Sequence, residues 1–204
     1  QKVDISDFND CHEFRDFLKY TIRKYRNEVN TGQVINFDEA AIHDETNIVS
    51  LGSGPLGGKG RGLAFINTLI YNLNFSEIIP SIHIRTPITL VIGTDEFDLF
   101  MESNHLQDFV HTCEDYHEVR KVFLESQLSY TLEKKLRALL KRLKNPIAIR
   151  SSSLLEDSTT QPFSGIFATY LLPNNHPDFN IRLKQASEAI KLVYASIFSD
   201  NARA

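Results

Sequence analysis

The sequence predicts an α/β fold of the α+β kind, a small mixed sheet covered by helices. Two patterns carry this reading. Short apolar runs of strand length recur at 34–37, 47–51, 88–92, 146–150 and 167–172. Between them lie longer stretches whose apolar residues return at three- and four-residue steps. Composition agrees: 204 residues with 42% hydrophobic and 24% charged content can bury a core as one domain, or as one with two lobes. A net charge of −4 gives no basis for nucleic-acid binding. No apolar run is long enough to span a membrane, and no signal peptide is visible. Cys11 and Cys113 lack metal-ligand spacing and read as reduced thiols of a cytoplasmic protein.

Taken in order, residues 10–29 read as an amphipathic helix through Phe14, Phe17, Leu18, Ile22 and Tyr25, with Asp10 as N-cap and Glu13 three residues on. Asn30-Thr-Gly32 ends it. Short strands follow at 34–37 and 47–51. Residues 57–72 form a helix whose apolar stripe, Leu63, Ile66, Leu69 and Ile70, is read as core. Pro80 and Pro87 bracket a bent or edge segment, and 88–92 is a buried strand. Thr94 is the N-cap expected for a short helix, with Asp95 and Glu96 complementing the dipole of its first turn. A helical block spans 106–143, broken near Gln127–Ser129. Its cations, Lys134, Lys135, Arg137, Lys141, Arg142 and Lys144, read as a solvated face. Strands at 146–150 and 167–172 flank a long loop, 151–166, of a length that is usually functional or mobile. Residues 178–199 close the chain as a helix.

Two segments carry chemistry. One is Gly57-Gly58-Lys59-Gly60, after a strand and opening a helix. The other is Ile147-Ala-Ile-Arg150-Ser151-Ser152-Ser153, then Glu156-Asp157, then Phe163-Ser-Gly165-Ile166-Phe-Ala168-Thr169. Each sets a cation beside small residues that leave backbone N–H groups exposed, the means by which proteins hold phosphate. A lysine in the first turn of a helix opposes the dipole unless an anion is near. A strand-end arginine can grip phosphate bidentately, or pair with Glu156 or Asp157. Ser151 and Ser152 can donate to phosphate or cap the turn. Gly52-Ser-Gly54-Pro-Leu-Gly57 also fits a dinucleotide fingerprint, with Glu77 at the acidic position, but it leaves Lys59 without a role and puts Pro55 among the needed N–H groups. A P-loop is excluded by spacing, and by Gly60 where Ser or Thr would hold Mg²⁺. His111, His117, Cys113 and Asp115 do not have zinc spacing.

From about Leu51 onward these motifs resemble the N-terminal nucleotide-binding domain of the pyruvate phosphate dikinase and phosphoenolpyruvate synthase family, whose pattern is Gly-Gly-Lys opening a helix, a strand ending in Arg-Ser-Ser, Glu-Asp, and Phe-Ala-Gly-Gln-x-x-Thr. The resemblance implies an ATP-grasp-like fold, with residues 51–204 as its first lobe and 1–50 as a leading segment of unassigned role. It implies ATP contacts from Lys59, Gly58, Arg150, Ser151, Gly165 and Thr169, with Gly165 in a loop that closes on the triphosphate. Mg²⁺ ligands, a second lobe and a phosphohistidine domain are expected outside these residues. The start at Gln1 and the end at Ala204 suggest a fragment holding about half of a nucleotide site, inactive alone. The family passes phosphate from ATP through a histidine to pyruvate or another acceptor. Ile166 replaces the usual Gln and Ala168 a common acidic residue, which keeps a second reading open: a non-catalytic nucleotide-sensing or interaction module.

Overall fold

The computed structural model describes residues 8, 10, 12–19, 21, 32–39, 46–73, 75, 79, 81–153 and 165–203. Residues 12–19 are helical (α1). The Asp10 carboxylate accepts the N–H groups of His12 (2.7 Å) and Glu13 (2.8 Å), as its expected capping role requires. Phe8 packs on Phe14 and Phe17. The remainder of the expected helix, apart from Thr21, lies outside the described residues, as do Cys11, Glu77 and residues 154–164 of the long loop.

Strands β1 (Val34–Asn36), β2 (Ile48–Ser50) and β3 (Leu90–Val91) form a parallel sheet in the order β1-β2-β3. Helix α2 (Gly57–Asn72) is the crossover between β2 and β3, as parallel pairing demands. Strands β4 (Ile147–Arg150) and β5 (Thr169–Leu172) pair antiparallel as a second ladder. The expected single mixed sheet is thus corrected to two ladders among the described residues, each of one polarity. β3 contributes only two residues, because 82–89 join no ladder and Pro87 has no N–H to offer one.

The helices are α3 (Thr94–Ser103), α4 (Gln107–Thr112), α5 (Tyr116–Glu125), α6 (Tyr130–Arg142), α7 (Phe179–Ala195) and α8 (Asp200–Arg203), with a 3₁₀ turn at Ser196–Phe198. The block expected over 106–143 breaks twice. Asp115 caps α5 through the N–H of His117, and Ser129 caps α6 through that of Leu132. Thr94 is the first helical residue of α3 rather than its cap; Gly93 takes that position without a side-chain bond.

The core lies among α3, α5, α6 and α7. Phe100, Val119, Phe123, Leu132 and Leu140 are fully buried, with Leu183, Ala186 and Ile190 of α7 packed against them. Tyr194 meets Phe97 and Phe100 at ring distances of 5.1 and 5.4 Å. Behind β4, buried Arg182 donates to the carbonyls of Leu140 and Leu143, and Asn174 to those of Leu143 and Asn145. These bonds satisfy carbonyls orphaned at the end of α6 and fix the turn that leads into Arg150.

The apolar stripe of α2 does not face the core. Phe65 is 65% exposed and Ile66 51%, with Leu69 and Leu73 also exposed; Leu63 and Ile70 are half-buried. The buried residues of α2 are Gly57, Gly60 and Asn67. Asn67 donates to Thr46 O (2.9 Å) and accepts the Thr86 hydroxyl (2.6 Å), so α2 is seated by small residues and one satisfied amide.

Candidate anion-binding site

The two motifs meet. The start of α2 stands against the end of β4: the Gly60 N–H donates to Ser152 Oγ (2.7 Å), and the Ser152 hydroxyl donates to Leu56 O (2.8 Å). A hydroxyl ninety-two residues away thereby bridges the Gly60 N–H and the Leu56 carbonyl, the pair that closes the first turn of α2. Leu56, the residue at the cap position, makes no side-chain bond, and the first turn holds no acidic residue. The positive end of the α2 dipole is left without side-chain anions of its own helix.

Two glycines of the motif have a steric cause. Gly57 has φ +73°, and a Cβ there would stand 1.4 Å from the carbonyl oxygen of Ser152. A Cβ on Gly60 would stand 3.3 Å from Ser152 Oγ. Gly57 makes room for the Ser152 backbone, and Gly60 for the Leu56 and Ser152 side chains. The two upstream glycines also have steric causes: a Cβ on Gly52 would stand 2.9 Å from Glu96 Cγ, and one on Gly54 1.9 Å from Asp95 Oδ1. The Gly-x-Gly-x-x-Gly spacing thus has a packing explanation.

The loop that delivers α2 is tied at each step. Lys135 of α6 donates to Leu51 O, Ser50 Oγ to Gly52 O (2.7 Å), Ser53 Oγ to Asp95 (2.7 Å), and Thr94 N to Pro55 O (3.3 Å). Asp95, expected to complement a dipole, also holds Ser53. Lys135, expected on a solvated face, reaches a backbone carbonyl. Arg142 likewise ties Glu39. No periodicity marks these contacts, because all but the Ser50–Gly52 bond join residues tens of positions apart.

Of the remaining expected residues, Arg150, Ser151, Gly165 and Thr169 lie in or beside β4 and β5, and Gly58 and Lys59 lie in α2. Arg150 is exposed at the end of β4 and stands opposite Thr169 in the ladder. Gly165 is exposed at φ +80°, and among the described residues nothing lies within 4 Å of where a Cβ would be. Lys59 and Gly58 are half-buried in the first turn of α2. Ser151 Oγ accepts from Ser153 N (3.3 Å), a local turn bond of the kind expected as its alternative role. Among the described residues no group of three or more His, Cys, Asp and Glu could hold a metal. No helix among them is long and apolar enough to cross a membrane. A shallow depression on α5, lined by His117, Arg120, Lys121, Leu124 and Glu125, shares no residue with these motifs and is an open helix surface.

A glycine-rich helix start seated against a strand that ends in arginine is the arrangement that the two motifs form in this α/β domain. The family model for the AMP/ATP-binding domain of pyruvate phosphate dikinase matches residues 54–204, and the chain belongs to that family. No curated protein and no solved structure matches it.

Proposed function

We propose that this protein binds ATP at the start of α2, as the nucleotide-binding part of a dikinase-type phosphotransferase with an ATP-grasp-like fold. The observation that carries the reading is the bond between Gly60 and Ser152, which joins the two phosphate-binding motifs into one surface. The residues present suit a triphosphate. The N-terminal turn of α2 offers backbone donors and no carboxylate, Lys59 adds a mobile charge, and Arg150 a forked one. Gly58 lets the chain approach phosphate, while Gly165, Ser151 and Thr169 add contacts from the β4–β5 side. When bound, ATP supplies the phosphoryl group; these residues bind and orient it and offset its charge. Transfer would run through a histidine on another domain to pyruvate or a related acceptor, with Mg²⁺ held by residues beyond those described and a second lobe completing the site.

Ile166 and Ala168 favour a second reading, a nucleotide-sensing module without phosphoryl transfer. The Ala168 N–H is engaged by Ser196 Oγ (3.0 Å), which fixes this position to the end of α7. Calorimetric titration with a non-hydrolysable ATP analogue tests the shared claim, and saturable binding is expected. Transfer of labelled γ-phosphate to a protein histidine separates the two readings. Binding with transfer supports the phosphotransferase, binding without transfer supports the sensor, and absence of binding rejects both.

A further inference from the structure

We infer that Ser152 is a positioning residue of the nucleotide site, a latch that fixes the start of α2 to the end of β4. The inference rests on the ATP-binding reading above. Three contacts converge on this one serine: its Oγ takes the Gly60 N–H, its hydroxyl proton goes to Leu56 O, and its own carbonyl fills the space beside Gly57. Leu56 and Gly57 are the last residues before the phosphate-facing turn, and Arg150 lies two residues before Ser152. Ser152 therefore sets the spacing between the helix start and the strand that presents Arg150.

The latch also divides the labour among donors. The Gly60 N–H is engaged by protein, so the amides left for an anion are those nearer the helix tip, beside Lys59. A hydroxyl suits this task better than a carboxylate. An aspartate carboxylate could accept the Gly60 N–H, but it has no proton for Leu56 O and would place a negative charge where the triphosphate must come.

The test compares Ser152→Ala, Ser152→Thr and Ser152→Asp in the full chain. Calorimetry with a non-hydrolysable ATP analogue reads affinity, thermal melts read the fold, and exchange of the Gly60 amide reads the latch. Ser152→Ala should expose the Gly60 amide to faster exchange, keep a cooperative melt, and weaken binding about tenfold. Ser152→Thr, which keeps the hydroxyl, should recover most of that loss. Ser152→Asp should keep the Gly60 amide protected yet bind more weakly than Ser152→Ala. Parent-like affinity in Ser152→Ala with a deprotected Gly60 amide would overturn the positioning role alone. Failure of the unmodified chain to bind the analogue would overturn the ATP reading, and the positioning role with it.

Discussion

The carbonyl oxygen of Ser152 occupies the place where a side chain on Gly57 would begin, 1.4 Å from an added Cβ. Gly57→Ala therefore forces backbone apart and must also adopt a positive φ. It should cost about 2 kcal/mol or more. Gly62, in the same helix, has nothing among the described residues within 4 Å of its added Cβ. Gly62→Ala should stabilise by about 0.5–1 kcal/mol through helix propensity. Urea denaturation of the two variants separates a packing glycine from a permissive one; equal effects would mean that the Ser152 contact is not rigid.

Tyr194 gives the chain an alkaline limit. Burial raises its hydroxyl well above the ordinary tyrosine value, with the Glu96 carboxylate adding to the shift, and its buried Oη has no hydrogen-bond partner among the described residues. Below about pH 10 the side chain is neutral whether folded or unfolded. Above that the unfolded chain ionises first, so stability falls as pH rises toward the folded value. Tyr194→Phe should be neutral or stabilising at pH 7, and its stability advantage should grow above about pH 10. Parallel pH–stability curves for the two proteins would contradict this.

The outer face of α2 should tolerate polar substitution. Phe65→Gln should change stability by no more than about 0.5 kcal/mol, because the ring is already in solvent. Leu132→Ala, in the core, should cost about 2–5 kcal/mol. A large loss for Phe65→Gln in chemical denaturation would mean that this face is covered in solution.

Much of this was legible in the sequence because it is local. Asp10 acts within three residues of itself, and α2 begins and ends where its glycines and periodicity predict. What failed is what periodicity cannot orient. α2 carries apolar residues on two faces, and the choice between them is made by Gly60 and Asn67, whose partners Ser152, Thr46 and Thr86 lie in loops remote in sequence. The two ladders could not be separated from one mixed sheet, since pairing depends on contacts remote in sequence. At the site, Lys59 and Arg150 stood out by charge type and neighbours. The role of Ser152 did not, because nothing around residue 152 names a partner at residue 60.

The central claim is that the helix start and the strand end grip one triphosphate. The most direct measurement is calorimetric titration of Lys59→Ala, Arg150→Ala and Arg150→Lys with a non-hydrolysable ATP analogue, beside thermal melts. Each alanine variant should lose a charge-assisted contact, about 1.5–3 kcal/mol, or roughly ten- to a hundredfold in affinity. Arg150→Lys should also bind poorly, because an ammonium cannot reproduce the guanidinium fork. All three should melt like the parent. If both alanine variants bind the analogue as tightly as the parent at unchanged stability, the triphosphate is not held between Lys59 and Arg150.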